Sequence, residues 1–237
     1  MHYLSILTTI VTFTFAAAVF RRFSVRRGPH LLLWGIGLVL YGIGALMEVI
    51  SLFSFNTIAL KLWYLTGAML TAAWLGQGTV NLLVRRKSIT LSLNILLALV
   101  SVLAVVLVFL APITSSAASF STNQPLSAQY RDILIRSSMI VLLTILLNTY
   151  GTITLVGGAI YSAYIFWRKH ILLHRMIGNI LIAVGAILPA VGGTFIKVGL
   201  ADYLYLSELL GAILMFIGFL QATVPDVVKN APTAPAG

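Results

Sequence analysis

The sequence predicts an all-α polytopic membrane protein, a bundle of seven transmembrane helices with the N-terminus outside and the C-terminus in the cytoplasm. Three observations predict this class: the composition, the number of long apolar runs and the placement of basic residues. Of the 237 residues, 60% are hydrophobic and only 8% are charged, whereas about 25% are charged in a typical soluble domain. So few charges cannot cover a surface that faces water, but a lipid bilayer accommodates an apolar surface.

Seven apolar runs are long enough to span the bilayer, because about 20 helical residues cross the roughly 30 Å of hydrocarbon. They cover approximately residues 3–20, 31–54, 58–84, 89–112, 134–167, 176–199 and 203–224. We therefore predict a single transmembrane domain over residues 1–225, followed by a short disordered cytoplasmic tail over residues 226–237. The polar connection between the fourth and fifth runs is predicted to be a flexible loop or a short surface helix.

The basic residues predict the orientation. They cluster in the first, third and fifth connections, at 21–27, 85–87 and 168–175. Since Lys and Arg concentrate on the cytoplasmic side of a membrane protein, this alternation places the N-terminus outside. The first apolar run has no positive segment before it, so we expect a retained helix and not a cleaved signal peptide. The predicted location is the cytoplasmic (inner) membrane of a bacterium-like cell.

A weak internal repeat links the two ends of the chain. Residues 62–77 align without gaps to residues 206–221. The alignment pairs Gly67 with Gly211, Ala68 with Ala212, Leu70 with Leu214 and Gln77 with Gln221, and Gly44 upstream matches Gly185 with slightly different spacing. One interpretation is a 3+1+3 parallel duplication, a plan that occurs in transporters. The other is chance similarity, since membrane helices share a restricted composition.

Two carboxylates interrupt the apolar runs. Glu48, the only acidic residue among the first 131, lies in the second run, and Glu208 lies in the seventh. A charged side chain at the centre of a transmembrane helix costs roughly 2.5 to 3.5 kcal/mol, so such residues are rare and usually have a partner. Both are expected in the outer third of the membrane, where Lys61, Arg136 and Lys197 are also predicted to lie.

These charges allow a functional and a structural interpretation. In the functional one, an outward-facing polar pocket binds a cation, a proton or a polar ligand. Its predicted ligand-binding residues are Glu48, Glu208, Lys197, Lys61, Arg136, Trp63 and Tyr64. In the structural one, each glutamate pairs with Lys61, Lys197 or Arg136 and the pairs only lock helices together. An open cavity that reaches the carboxylates favours the pocket, whereas closed ion pairs favour the lock.

The sixth run contains a predicted hinge, formed by Pro189 with Gly192 and Gly193. Proline removes a backbone hydrogen bond, and broken helices at membrane depth often line cavities or act as hinges. A static kink is the alternative, because glycine and proline are frequent in transmembrane helices. The aromatic residues, among them Tyr203 and Tyr205, are assigned to belts at the membrane interfaces.

Several kinds of chemistry are excluded. The chain has no cysteine, which rules out disulfides, thiolate catalysis and iron–sulfur clusters. The four histidines lie at the ends of runs or in connections, so no embedded haem or metal site is predicted. We predict that the protein is not an enzyme and has no catalytic residue, no metal and no cofactor. The net charge of +10 lies in short connections, so nucleic acid is not an expected partner.

Two families share part of this layout. The seven-helix plan resembles that of rhodopsins, which hold retinal on a lysine of the last helix, but the run over residues 203–224 contains no lysine. The 3+1+3 plan resembles that of the PQ-loop sugar transporters, but their Pro-Gln signature is missing. The sequence therefore assigns neither family.

The predicted function is that of a non-enzymatic membrane module that binds or transports a small molecule or ion. Its expected partners are the lipid bilayer and a small polar ligand or a cation. The alternative is a structural or accessory subunit, or a sensor without an output domain of its own. In that alternative the buried charges only lock helices, and the apolar surface docks a membrane-protein partner.

Overall fold

The computed structural model describes residues 3–168, 173–197 and 202–223, together with their side chains except those of 194–197 and 202. These residues form helices and no strand, and seven of the helices are long and apolar enough to cross a membrane. They are α1 (Leu4–Arg26), α2 (Pro29–Ser51), α3 (Thr57–Leu83), α4 (Lys87–Leu110), α6 (Ser138–Arg168), α7 (Leu173–Lys197) and α8 (Asp202–Ala222), and a short helix α5 (Leu126–Ile133) precedes α6. The predicted all-α class is confirmed, with seven helices long and apolar enough to span a membrane, while the predicted tail lies outside the described residues.

The helix ends follow local sequence signals. Arg27 adopts a left-handed conformation (φ 50°) and caps α1 by donating its N–H to the Phe23 carbonyl. Pro29 takes the first position of α2, where a missing N–H leaves no hydrogen bond unmade. The side chain of Asn56 accepts from the N–H groups of Ile58 and Ala59 and so starts α3. Since α1 runs to its capped end, the predicted boundary at residue 20 was too early.

Six of the membrane helices form a closed ring. Along the chain α1 packs against α2, α2 against α3, α3 against α6, α6 against α7 and α7 against α8, and α8 closes the ring on α1. Helix α4 lies outside the ring, against α3 and α6, and most of its side chains are exposed. The interior of the ring is therefore built from the three helices before α4 and the three after α5.

Glycines bring neighbouring helices of the ring into backbone contact. A methyl group added to Gly185 of α7 would lie 2.7 Å from the Gly211 carbonyl oxygen, and one added to Gly211 of α8 would lie 2.6 Å from that of Gly185. On the other side of the ring, a methyl group on Gly44 of α2 would lie 2.7 Å from Cα of Gly67 in α3. Small residues at such crossings allow close packing in the absence of a hydrophobic driving force.

Helix α3 contains a π-helical segment over Trp63–Leu70, which the sequence did not predict. The hydroxyl of Thr71 donates to the carbonyl of Thr66, five residues earlier, at 2.7 Å. A π turn widens the helix and turns the following residues relative to those before it, and such turns are frequent at functional sites. Several residues of this segment face the interior of the ring.

The connection between α4 and α6 folds back onto the bundle. Leu126 and Ile133, at the two ends of α5, are 1% and 2% exposed. At its base, Ile113 and Leu134 form a bridge in which the N–H of Thr114 donates to the Ile133 carbonyl at 2.9 Å. Of the two predicted forms, the short helix is observed. Because Leu134 takes part in this bridge, α6 starts later than predicted, at Ser138.

Candidate functional site

A cavity of about 600 Å³ lies inside the ring at the end that carries α5, here called the α5 end. Helices α2, α3, α5, α6, α7 and α8 all contribute to its wall. The volume falls within the range of roughly 300 to 1,000 Å³ that is usual for small-molecule pockets. The wall is mixed in character, with charged, aromatic, hydroxyl and amide side chains among small apolar ones.

Five of the seven predicted ligand-binding residues line this cavity: Glu48, Glu208, Arg136, Trp63 and Tyr64. Lys61 does not, because its ammonium group donates to the Phe109 carbonyl at 2.7 Å and so joins α3 to α4. The side chain of Lys197 lies outside the described part of the chain.

The predicted hinge residues divide between the cavity and a helix contact. Pro189 and Gly193 line the cavity, and a methyl group on Gly193 would meet nothing within 4 Å. Gly192 instead packs against α8, where a methyl group would lie 1.9 Å from Oγ of Ser207. Pro189 and Gly193 therefore lie about one turn apart on the side of α7 that faces the cavity, while Gly192 faces α8.

Glu48 is buried, at 2% exposure, and its two carboxylate oxygens have different surroundings. Oε1 accepts from the backbone N–H of Leu126 at 2.9 Å and from the Tyr205 hydroxyl at 2.5 Å. The hydroxyl of Ser127 lies 3.1 Å from that of Tyr205 and extends the chain of hydrogen bonds. Oε2 is buried and has no hydrogen-bond partner among the described residues. A buried acceptor without a donor is unfavourable by about 1 to 3 kcal/mol.

These contacts replace the ion pairs that the structural interpretation predicted for Glu48. In the described part of the chain, the partners of its carboxylate are a backbone amide and a hydroxyl, not Lys61 or Arg136. Leu126 is the first residue of α5, and the N-terminal end of a helix favours a negative charge. The predicted ion pair between Glu48 and a basic side chain was therefore wrong for Lys61 and Arg136.

Glu208 lines the same cavity from α8. Its backbone carbonyl accepts from the Tyr41 hydroxyl at 2.9 Å, while its carboxylate makes no hydrogen bond or ion pair with the described side chains. Tyr205 precedes it by three residues, which is about 4.5 Å along the axis. The backbone of Glu208 thus lies farther from the α5 end than the backbone of Tyr205.

Aromatic and basic side chains form the cavity wall nearest α5. The ring of Tyr130 lies 5.2 Å from that of Trp63 and 5.7 Å from that of Tyr64. The guanidinium groups of Arg136 and Arg131 lie 5.0 Å and 5.8 Å from the centre of the Tyr130 ring, distances typical of cation–π contacts. A hydrogen bond from Nε of Arg131 to the Tyr130 hydroxyl raises the pKa of this arginine, so its guanidinium stays charged.

The opposite end of the cavity is apolar. Leu75, Leu155 and Met215 line it and also line a second cavity of only about 40 Å³. The remaining residues around the small cavity are apolar or aromatic, Phe15 and Trp34 among them. A layer of apolar side chains from α3, α6 and α8 therefore separates the polar cavity from the other end of the ring.

Sequence reasoning missed the two groups that hold Glu48. Tyr205 was assigned to an interfacial belt but is 1% exposed. Its spacing of three residues from Glu208 puts both on one helix face, which is a signal that the sequence did offer. Leu126 contacts Glu48 through its backbone amide, so the type of its side chain could not predict this contact.

Among the described residues, no group of three or more His, Cys, Asp or Glu side chains is placed to hold a metal ion. The chain was also compared with known proteins. No protein-family model, no curated protein and no solved structure matches it.

Proposed function

We propose that this protein is a non-enzymatic membrane module that binds or transports a small polar molecule or a cation in the cavity at the α5 end. One observation carries the proposal. Glu48 lines a cavity of about 600 Å³, and its Oε2 is buried without a partner among the described residues. An unmet acceptor on a residue that lines a cavity is what a ligand with N–H or O–H donors would satisfy.

The alternative of a pure helix lock has less support. A lock stabilises a membrane bundle when both partners of each charged pair are satisfied. Here Lys61 bonds to a carbonyl of α4 and Arg136 lies against Tyr130, both away from Glu48. Two carboxylates that share a cavity are better explained by a ligand that enters it.

We further propose that the α5 end faces the outside of a cytoplasmic membrane, with the N-terminus out and the C-terminus in. The basic clusters support this orientation. Residues 21–27, which end α1, and residues 85–87, which lead into α4, both lie at the end of the bundle opposite α5. Since positive residues favour the cytoplasmic side, the cavity would be reached from outside.

The proposed 3+1+3 repeat gives the cavity a place between two halves, α1–α3 and α6–α8. The contact between Gly44 and Gly67 in the first half resembles the contact between Gly185 and Gly211 in the second, where Gly67 aligns with Gly211 and the upstream glycines match with slightly different spacing. In the same alignment Tyr64 corresponds to Glu208, and both line the cavity. Repeat transporters bind substrate at such an interface between halves, which favours transport over binding alone.

Native mass spectrometry of the protein released gently from its membrane tests the proposal. We expect a retained small-molecule mass in the wild type and its loss in Glu48→Gln and Glu208→Gln. Asp132→Asn is the matched control, because Asp132 is an exposed carboxylate on α5 outside the cavity wall. If the wild type carries lipid alone, or if the glutamate variants keep the small molecule, the proposal is wrong.

An accessory subunit is the second candidate, and the position of α4 favours it. This helix lies outside the ring, and side chains along it, such as Leu99 and Val102, are 64% and 63% exposed. A membrane-protein partner would then cover α4. In that case a partner would be co-purified from gently solubilised membranes, and bulky substitutions at Leu99 would release it while cavity variants would not.

A further inference from the structure

We infer that the cavity takes a small zwitterion, an amino-acid-like molecule whose ammonium group contacts Glu48 and Glu208 and whose carboxylate faces Arg136. This inference rests on the proposed function and names its ligand class. It follows from the carboxylates and the guanidinium groups that line one cavity.

The carboxylates select a donor-rich cation. Oε2 of Glu48 is buried and has no partner among the described residues, and Glu208 lines the same cavity. An ammonium group carries three N–H donors and no acceptor, so one group can serve both carboxylates. Divalent metal ions are poorer candidates, since calcium takes six to eight oxygen ligands and magnesium requires near-ideal octahedral geometry.

The basic side chains select an anionic group at the other end of the ligand. Arg136 and Arg131 line the cavity beside α5, and neither forms an ion pair with a carboxylate in the described part of the chain. A guanidinium group presents paired N–H donors that match a carboxylate in bidentate geometry. Both guanidinium groups are placed against Tyr130, which limits their motion and favours a fixed binding geometry.

The two kinds of charged group together disfavour singly charged ligands. A simple amine would remain beside two guanidinium groups, and a simple carboxylate would remain beside two glutamates. Like charges brought together in this way are strongly disfavoured. A zwitterion offers an opposite charge to each kind of group, while Trp63 and Tyr64 in the cavity wall offer an apolar surface to its carbon chain.

The test uses matched probes on the full-length protein in lipid nanodiscs. Leucine is compared with 3-methylbutylamine, which lacks the carboxylate, and with 4-methylpentanoate, which lacks the ammonium group. The same comparison is made with 6-aminohexanoate, hexylamine and hexanoate, in which the two charges are farther apart. For at least one set we expect the zwitterion to bind at least about tenfold more tightly than both analogues, because a site built for a polar group rejects the analogue that lacks it.

One variant tests each kind of charged group, with the shift in binding as the measured quantity. Glu208→Gln should weaken the zwitterion and the amine alike. Arg136→Gln should weaken only the zwitterion and so reverse its preference over the amine, an effect that a loss of folding cannot produce. Asp132→Asn, outside the cavity wall, should leave all affinities unchanged.

The outcomes distinguish an error in the ligand class from an error in the proposed function. If an amine binds in a Glu48-dependent manner as tightly as its zwitterion, the ligand class is wrong while the pocket stands. If a carboxylate binds more tightly than its zwitterion, the ligand class is also wrong. If no probe binds and native mass spectrometry finds no retained small molecule, both the ligand class and the proposed function are wrong.

Discussion

The backbone N–H of Leu126 donates to Oε1 of Glu48 at 2.9 Å, so a carboxylate of helix α2 holds the first turn of α5 over the cavity. The Tyr205 hydroxyl donates to the same oxygen at 2.5 Å and brings α8 into the contact. One oxygen therefore joins three elements, while the second oxygen of the same carboxylate has no partner among the described residues. A ligand that binds Oε2 acts on the group that holds the short helix.

Replacing Glu48 with Leu removes this contact, whereas Gln keeps an oxygen that accepts both hydrogen bonds. We expect the amides at the start of α5 to exchange hydrogen about tenfold to a hundredfold faster in Glu48→Leu, since a hydrogen bond to a charged group contributes about 1.5 to 3 kcal/mol. Hydrogen exchange followed by mass spectrometry on peptides covering Leu126 measures this. Exchange in Glu48→Leu that equals that of Glu48→Gln would show that the carboxylate does not hold α5.

A pair of glycines on α6 gives a matched test of helix packing. A methyl group on Gly151 would lie 2.2 Å from the backbone carbon of Ala72, whereas one on Gly157 would meet nothing within 4 Å. Gly151→Ala should destabilise the bundle by about 1 to 3 kcal/mol through overpacking. Gly157→Ala should be neutral, or should stabilise the helix by up to about 1 kcal/mol. Thermal unfolding in detergent compares them, and equal melting temperatures would contradict the close contact between α3 and α6.

Polar side chains fasten α4 to the ring. Asn94 accepts hydrogen bonds from Gln77 at 2.6 Å and from Asn81 at 2.8 Å, and Gln77 is fully buried. Asn94→Leu should destabilise the protein by about 1 kcal/mol, because hydrogen bonds between membrane helices average roughly 0.6 kcal/mol each. Leu96→Ala, at a position 56% exposed on the same helix, is the control and should change little. A larger loss in the control than in Asn94→Leu would mean that apolar packing, not this network, holds α4.

The proposed orientation can be measured directly because the chain contains no cysteine. Phe53, at the α5 end, is 79% exposed, and Val25, at the opposite end, is 82% exposed. A membrane-impermeant maleimide applied to intact cells should label Phe53→Cys and should label Val25→Cys only after the cells are broken. The reverse pattern would place the N-terminus and the α5 end in the cytoplasm.

The seven helices were predictable because hydropathy over about 20 residues reports directly on the solvent that a helix meets. Glu48 and Glu208 stood out for the same reason, since few carboxylates lie in long apolar runs. The structure places both on one cavity together with Trp63, Tyr64 and Arg136. That agreement concerns where the residues lie, and the ligand they would bind remains a proposal.

Other features depend on contacts that composition does not encode. Lys61 was grouped with the carboxylates by depth, but depth does not specify the direction in which a side chain leaves its helix, and Lys61 reaches α4 instead. Tyr205 has the composition of an interfacial residue, yet the folded connection over it makes it part of the core. The π segment over Trp63–Leu70 shifts the helical register through backbone geometry alone. The periodicity of the side chains therefore did not predict this segment.

Closure of the ring has a consequence for biogenesis. Because α8 packs on α1, the ring closes only when its first and last helices meet. The ribosome synthesises α1 first and α8 last. Until α8 is in place, Glu48 lacks the hydrogen bond from the Tyr205 hydroxyl, and the ring stays open between α1 and α7. A chain halted before its last helix therefore lacks both the ring closure and one of the two donors to this carboxylate.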